Sequence, residues 1–173
     1  MPGEARPTNG KLHMYLQARR EGDTIKWSLD DQDPPRVGAC TPIHAPKDSG
    51  SSKIHFHILE SPGINARFDT IEPIWIEMGG ECPPKKGIDT HGQIEWSSCD
   101  SDTLILKNKN KGQPANFTYQ LNFIGAPALD PEIRNGGGNI HIAAASTIGI
   151  TIAAAGLGAA AGYLACAQQS KRR

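Results

Sequence analysis

His55 and His57, in Lys53 to Glu60 (KIHFHILE), are the residues best spaced for metal chemistry. Side chains alternate across a strand, so residues two apart share a face and both imidazoles would point the same way, as two ligands of one site must. Two ligands do not complete a site. A third would have to arrive from His44, His91 or Asp69, and without it the pair reads as the solvated face opposite Ile54, Phe56 and Ile58. No metal and no other cofactor is therefore expected.

The remaining polar clusters read as structure. Asp31 with Asp33, and Asp100 with Asp102, place carboxylates in loops as a calcium loop would, but neither continues into the twelve-residue EF-hand pattern, so both are turn formers. Lys107, Lys109 and Lys111 alternate at an expected hairpin tip, where they could meet anionic headgroups or remain solvated. Asn116-Phe117-Thr118 is a glycosylation sequon, which matters only in a secretory compartment. No nucleophile elbow, phosphate loop, HExxH or dinucleotide fingerprint occurs, and no catalytic residue is assigned.

Cys40, Cys82, Cys99 and Cys166 lack zinc-site spacing and are too few for a disulfide scaffold in a chain of 173 residues. Cys82 and Cys99 could pair in an oxidising compartment and are free thiols in a reducing one.

The elements that would position these residues are strands. Leu12, Met14 and Leu16 alternate with polar residues, Glu21-Gly22-Asp23 makes a turn, and Ile25, Trp27 and Leu29 return, a hairpin pattern. Residues 30–52 are rich in Pro, Gly and Ser and read as a long crossing between sheets. Further strands are expected over KIHFHILE, Arg67 to Thr70, Pro73 to Met78, Gln93 to Ser98, Thr103 to Lys107 and Asn116 to Ile124. This punctuation predicts an all-β, Greek-key, immunoglobulin-like sandwich over residues 11–125, after a disordered terminus at 1–10. Trp96 lies too close to Cys99 for the antibody-domain framework, so the likeness is one of layout only.

Ile142 to Ala167 has no charge, and a helix over it would span about 39 Å, enough for a bilayer core of roughly 30 Å. It is expected to be a single transmembrane helix, followed by the basic tail at 168–173. Ala154, Gly158 and Gly162 recur every four residues, and the GxxxG spacing predicts a helix-packing stripe and a homo-oligomer. Gly136, Gly137 and Gly138 would form a hinge within the Pro/Gly-rich span 126–141.

Lys plus Arg and Asp plus Glu both number 18, and with three of the basic residues in the tail the domain is slightly acidic, which excludes nucleic acid as a main partner. The N-terminus has no apolar leader-like run, which favours a cytoplasmic β domain, whereas the basic tail favours the opposite orientation. The functional expectation is a membrane-anchored binding or adaptor module without enzymatic activity, its protein partner not specified by the sequence. The alternative is a pore-forming or membrane-perturbing effector, and a metal-dependent enzyme using His55 and His57 is more distant.

Overall fold

A computed structural model describes residues 4–46, 49–79, 83–111 and 114–136. These residues are all-β, with twelve strands and no helix among them. The transmembrane helix expected over 142–167, its stripe at Ala154, Gly158 and Gly162, and the glycines Gly137 and Gly138 lie outside the described residues.

The first sheet contains β1 (Lys11–Glu21), β2 (Thr24–Asp30), β4 (Ser52–Ile58), β8 (Ile94–Cys99) and β9 (Thr103–Asn108), in the order β2-β1-β4-β9-β8. The second contains β3 (Ile43–Ala45), β6 (Ile74–Met78), β7 (Ile88–Asp89), β10 (Ala115–Leu121) and β12 (Glu132–Asn135), in the order β3-β12-β10-β6-β7. A small pair joins β5 (Arg67–Phe68) to β11 (Phe123–Ile124).

Period-2 patterning builds these strands as their residues dictate. Along β1, Leu12, Met14, Leu16 and Ala18 turn inward while the intervening side chains stay at or near the surface. Ile54 and Phe56 on β4, Leu104 and Leu106 on β9, and Phe117, Tyr119 and Leu121 on β10 do the same, giving one shared apolar core in a sandwich-like arrangement. Phe56 and Tyr119, from opposite sheets, meet with ring centroids 5.9 Å apart. Burial of these side chains stabilises by about 1.5 to 3 kcal/mol each, against the entropy of ordering them.

Three pairings are parallel: β1 with β4, β3 with β12, and β6 with β7. An immunoglobulin-like layout of antiparallel neighbours does not anticipate them: β1–β4 and β3–β12 join strands distant in sequence, and β6 and β7 are consecutive yet parallel.

Two expected boundaries are corrected. The span 126–141 is not all linker: β12 pairs with β10 and β3, and its Ile133 is fully buried. Gly136, read as a hinge residue, donates its N–H to Ala45 O and to Asn110 Oδ1, both at 3.0 Å, so the chain is still docked there. The terminus 1–10 is also structured from residue 4 onward. Ala5 is fully buried and bridges to Ile43, and Thr8 bonds to Lys11 in both directions. A polar, Pro/Gly-rich composition hid both segments, since in each a single buried apolar residue, Ala5 or Ile133, seats the chain against the core.

Candidate functional site

Strands β1 and β4 run side by side in parallel with Lys11 opposite Lys53, His13 opposite His55, and Tyr15 opposite His57. Because the partners of these residues along each strand face the core, this register lines up a polar outer face. His13, His55 and His57 meet there, each offering one ring nitrogen within 4.8 Å of the others. The ring planes are nearly parallel: centroids of His13 and His55 are 4.9 Å apart, and those of His13 and His57 are 5.2 Å apart. Tyr15 continues the stack against His57 at 5.4 Å.

His13 Nδ1 and His57 Nε2 lie 2.9 Å apart, a hydrogen bond in which one ring must be a donor and the other an acceptor. His55 Nε2 is buried without a hydrogen-bond partner. Burial pushes the His55 and His57 imidazoles below the ordinary histidine value, and the charge of His13 beside them works in the same direction. Lys11 and Lys53 add to this at His55, while Asp33 and Asp100 partly oppose it at His57. His55 and His57 are thus biased toward the neutral ring with an available lone pair, the form in which imidazole binds zinc, copper or nickel. Beside it, Arg6, Thr8, Asn9, Lys11, His13, Tyr15 and Asp31 border an open groove of about 540 Å³.

The third potential ligand beside the pair is His13, and none of the three residues expected to supply it, His44, His91 and Asp69, joins the cluster. His44 lies on β3 of the other sheet and bonds to Glu4 Oε2 at 2.9 Å. His91 sits in the β7–β8 turn, 3.6 Å from Asp89. Asp69 Oδ1 accepts from the N–H groups of Ile71 and Glu72, which makes it a turn former. Alternation had placed His13 outward, but nothing local shows that β1 and β4 are neighbours.

No family model matches the chain, and no curated protein matches it.

Among the remaining sequence candidates, Asp100 Oδ1 accepts from the N–H groups of Asp102 and Thr103, and Lys109 pairs with Glu95 across β8 and β9. Cys40 and Cys99 are free, with burial pushing the Cys99 thiol up to about 11, and Cys82 lies outside the described residues. Sequence reasoning did not find the fully buried Asp30 carboxylate. It accepts hydrogen bonds from Arg36 Nη2 and Thr41 Oγ1, each at 2.9 Å, and from the Asp31 N–H at 3.0 Å.

A second surface feature is apolar. Ile71, Pro73, Trp75, Ile88 and Trp96, the last two on the edge strands β7 and β8, line an open cleft of about 470 Å³. Ile71 is 83% exposed, Ile88 44% and Trp96 42%. The opposite edges are covered by the chain itself, since Leu29 of β2 bonds to Ala39 and Thr41, and Ile43 of β3 is bridged by Ala5. The Trp75 indole N–H is buried without an acceptor.

Proposed function

We propose that this chain is a membrane-anchored β-sandwich with Greek-key crossings that serves as a binding or adaptor module, docking an extended apolar stretch of a protein partner at the β7–β8 edge. The observation that carries the reading is the cleft formed by Ile71, Trp75, Ile88 and Trp96 beside two edge strands, β7 and β8, that no further strand pairs with among the described residues. An extended segment laid along such an edge gains main-chain hydrogen bonds, while alternate side chains enter apolar pockets. Exposed tryptophan and isoleucine together form the kind of surface from which interface anchors are drawn.

The anchor in this reading is the uncharged segment 142–167, spanning the bilayer once with the β domain on the cytoplasmic side and self-associating through Ala154, Gly158 and Gly162. Among the described residues no helix is long and apolar enough to cross a membrane. The role is recognition rather than catalysis.

The test has two parts. Full-length chain should remain in the membrane pellet after an alkaline carbonate wash, and a chain ending at residue 136 should not. A photo-cross-linking residue at Ile88 should give a discrete protein adduct that Trp96→Asp removes, and one at Arg20, on the other side of the first sheet, should not. Release of the full-length chain by carbonate, or adducts indifferent to Trp96, would sink the proposal.

A further inference from the structure

We propose that His13, His55 and His57 form a three-histidine site for a borderline divalent transition metal, zinc first, with a fourth position left to water. The inference goes beyond the adaptor reading and stands whether or not the tail anchors the chain.

Three observations carry it. The parallel register of β1 and β4 sets His13 directly opposite His55, with His57 two residues along on the same face, so the backbone itself preorganises three imidazoles. The ligand nitrogens already lie within 4.8 Å of one another. Bound to one tetrahedral zinc they would be roughly 3.3 Å apart, an adjustment that small side-chain rotations on adjacent strands supply. Finally, the rings cannot satisfy each other: His13 and His57 share one hydrogen bond, and His55 Nε2 remains buried without a partner. A cation that accepts lone pairs satisfies all three nitrogens at once.

The solvated-face alternative fits these facts less well. Exposed polar positions on a sheet have no reason to stack ring on ring with a ring nitrogen withdrawn from water, because an unpaired buried polar atom is destabilising. Imidazole donors without a thiolate or a carboxylate among them suit zinc, nickel or copper over magnesium or calcium. Three protein ligands with a water position open to solvent form the donor set of reactive zinc sites rather than closed structural ones.

The experiment uses the full-length chain, purified in detergent without a polyhistidine tag, stripped with chelator and titrated with zinc alone. Calorimetry and elemental analysis should give about one zinc per chain. His55→Ala, His57→Gln and His13→Asn should each weaken binding at least roughly tenfold, while His91→Ala leaves it unchanged. Cobalt(II) should show the intense visible bands of a four-coordinate nitrogen-rich site, lost in His13→Asn. Circular dichroism of each variant separates ligand loss from misfolding, and the size-conserving His57→Gln keeps the test valid if His55→Ala unfolds. Absence of stoichiometric zinc, or binding that His57→Gln and His13→Asn leave intact, would overturn the assignment.

Discussion

Asn108 and Asn135 exchange side-chain amides across the two sheets: Asn108 Nδ2 donates to Asn135 Oδ1 at 2.6 Å, and Asn135 Nδ2 donates to Asn108 Oδ1 at 2.8 Å. Both are buried, one at the end of β9 and the other at the end of β12, so this reciprocal pair joins the layers where apolar packing stops. Asn108 Oδ1 also accepts the Asn110 N–H, and Asn110 in turn holds Gly136. Truncating Asn135 leaves the Asn108 Nδ2 donor buried without its acceptor, while Asn108 Oδ1 keeps only the Asn110 N–H. Asn135→Ala is therefore expected to destabilise by about 2 to 3 kcal/mol in chemical denaturation, whereas Asn108→Ala added to it costs less than a second full increment. Additive losses in the double-mutant cycle would show that the two amides do not act as a unit.

Asp30 makes the fold acid-sensitive in a defined direction. Burial alone would raise its carboxyl, but hydrogen bonds from Arg36, Thr41 and the backbone outweigh that and hold it far below the usual carboxylate range. A depressed folded-state value means that the contribution is fully present above the unfolded value of about 3.9 and is lost as pH falls toward the folded one. Asp31 is shifted up, first by burial and then by its contact with Asp30, and so acts in the opposite sense. The informative quantity is thus the difference between the parent and Asp30→Asn. Asp30→Asn should cost about 2 kcal/mol at neutral pH and flatten the fall in stability below pH 5, read from urea midpoints across the pH range.

What the sequence could and could not disclose follows from the range of its signals. Alternation is local, so Leu12-Met14-Leu16, Ile54-Phe56 and Phe117-Tyr119-Leu121 announced their strands and their inward faces. Very short strands carry no period, which is why Ile43–Ala45 falls inside the expected crossing, Glu132–Asn135 inside the expected linker, and Ile88–Asp89 outside every expected strand. Strand neighbourhood is not local at all. His55 and His57 were visible as a pair from spacing alone, but the presence of His13 beside them depends on a parallel pairing of segments about 40 residues apart. Asp30 was hidden for a similar reason: an aspartate next to Asp31, Gln32 and Asp33 looks like a turn until the loop carrying Arg36 and Thr41 folds back over it.

Zinc should stabilise the β domain by mass action. A metal that binds the folded cluster and not the unfolded chain adds about 2.7 kcal/mol at a free concentration one hundred times its dissociation constant. For a domain of this size that raises the melting temperature by roughly 10 °C. The measurement is thermal unfolding of the full-length chain followed by tryptophan fluorescence, with zinc and with chelator. His57→Gln should remove the difference while leaving the chelated melting temperature near that of the parent, because the ring lies on the outer face and not in the core. A zinc-dependent rise of equal size in that variant would assign the stabilisation to another part of the chain.

The tail prediction separates an adaptor from a pore. If Ala154, Gly158 and Gly162 form a packing stripe, a bulky residue at its centre keeps two backbones apart and removes close van der Waals contact, while its added apolar surface favours insertion. Gly158→Ile should therefore abolish cross-linked oligomers in liposomes and leave the chain in the membrane fraction after carbonate. Dye release from the same liposomes then distinguishes the two functions. Leakage by the parent that Gly158→Ile abolishes would mean that the assembled helices open a path through the bilayer, and the adaptor reading would fall. An intact dye signal for both chains is the outcome expected here. Persistence of the parent's oligomer in Gly158→Ile would shift self-association away from the stripe, leaving the exposed Ile71, Ile88 and Trp96 surface of the β domain as the next contact to mutate.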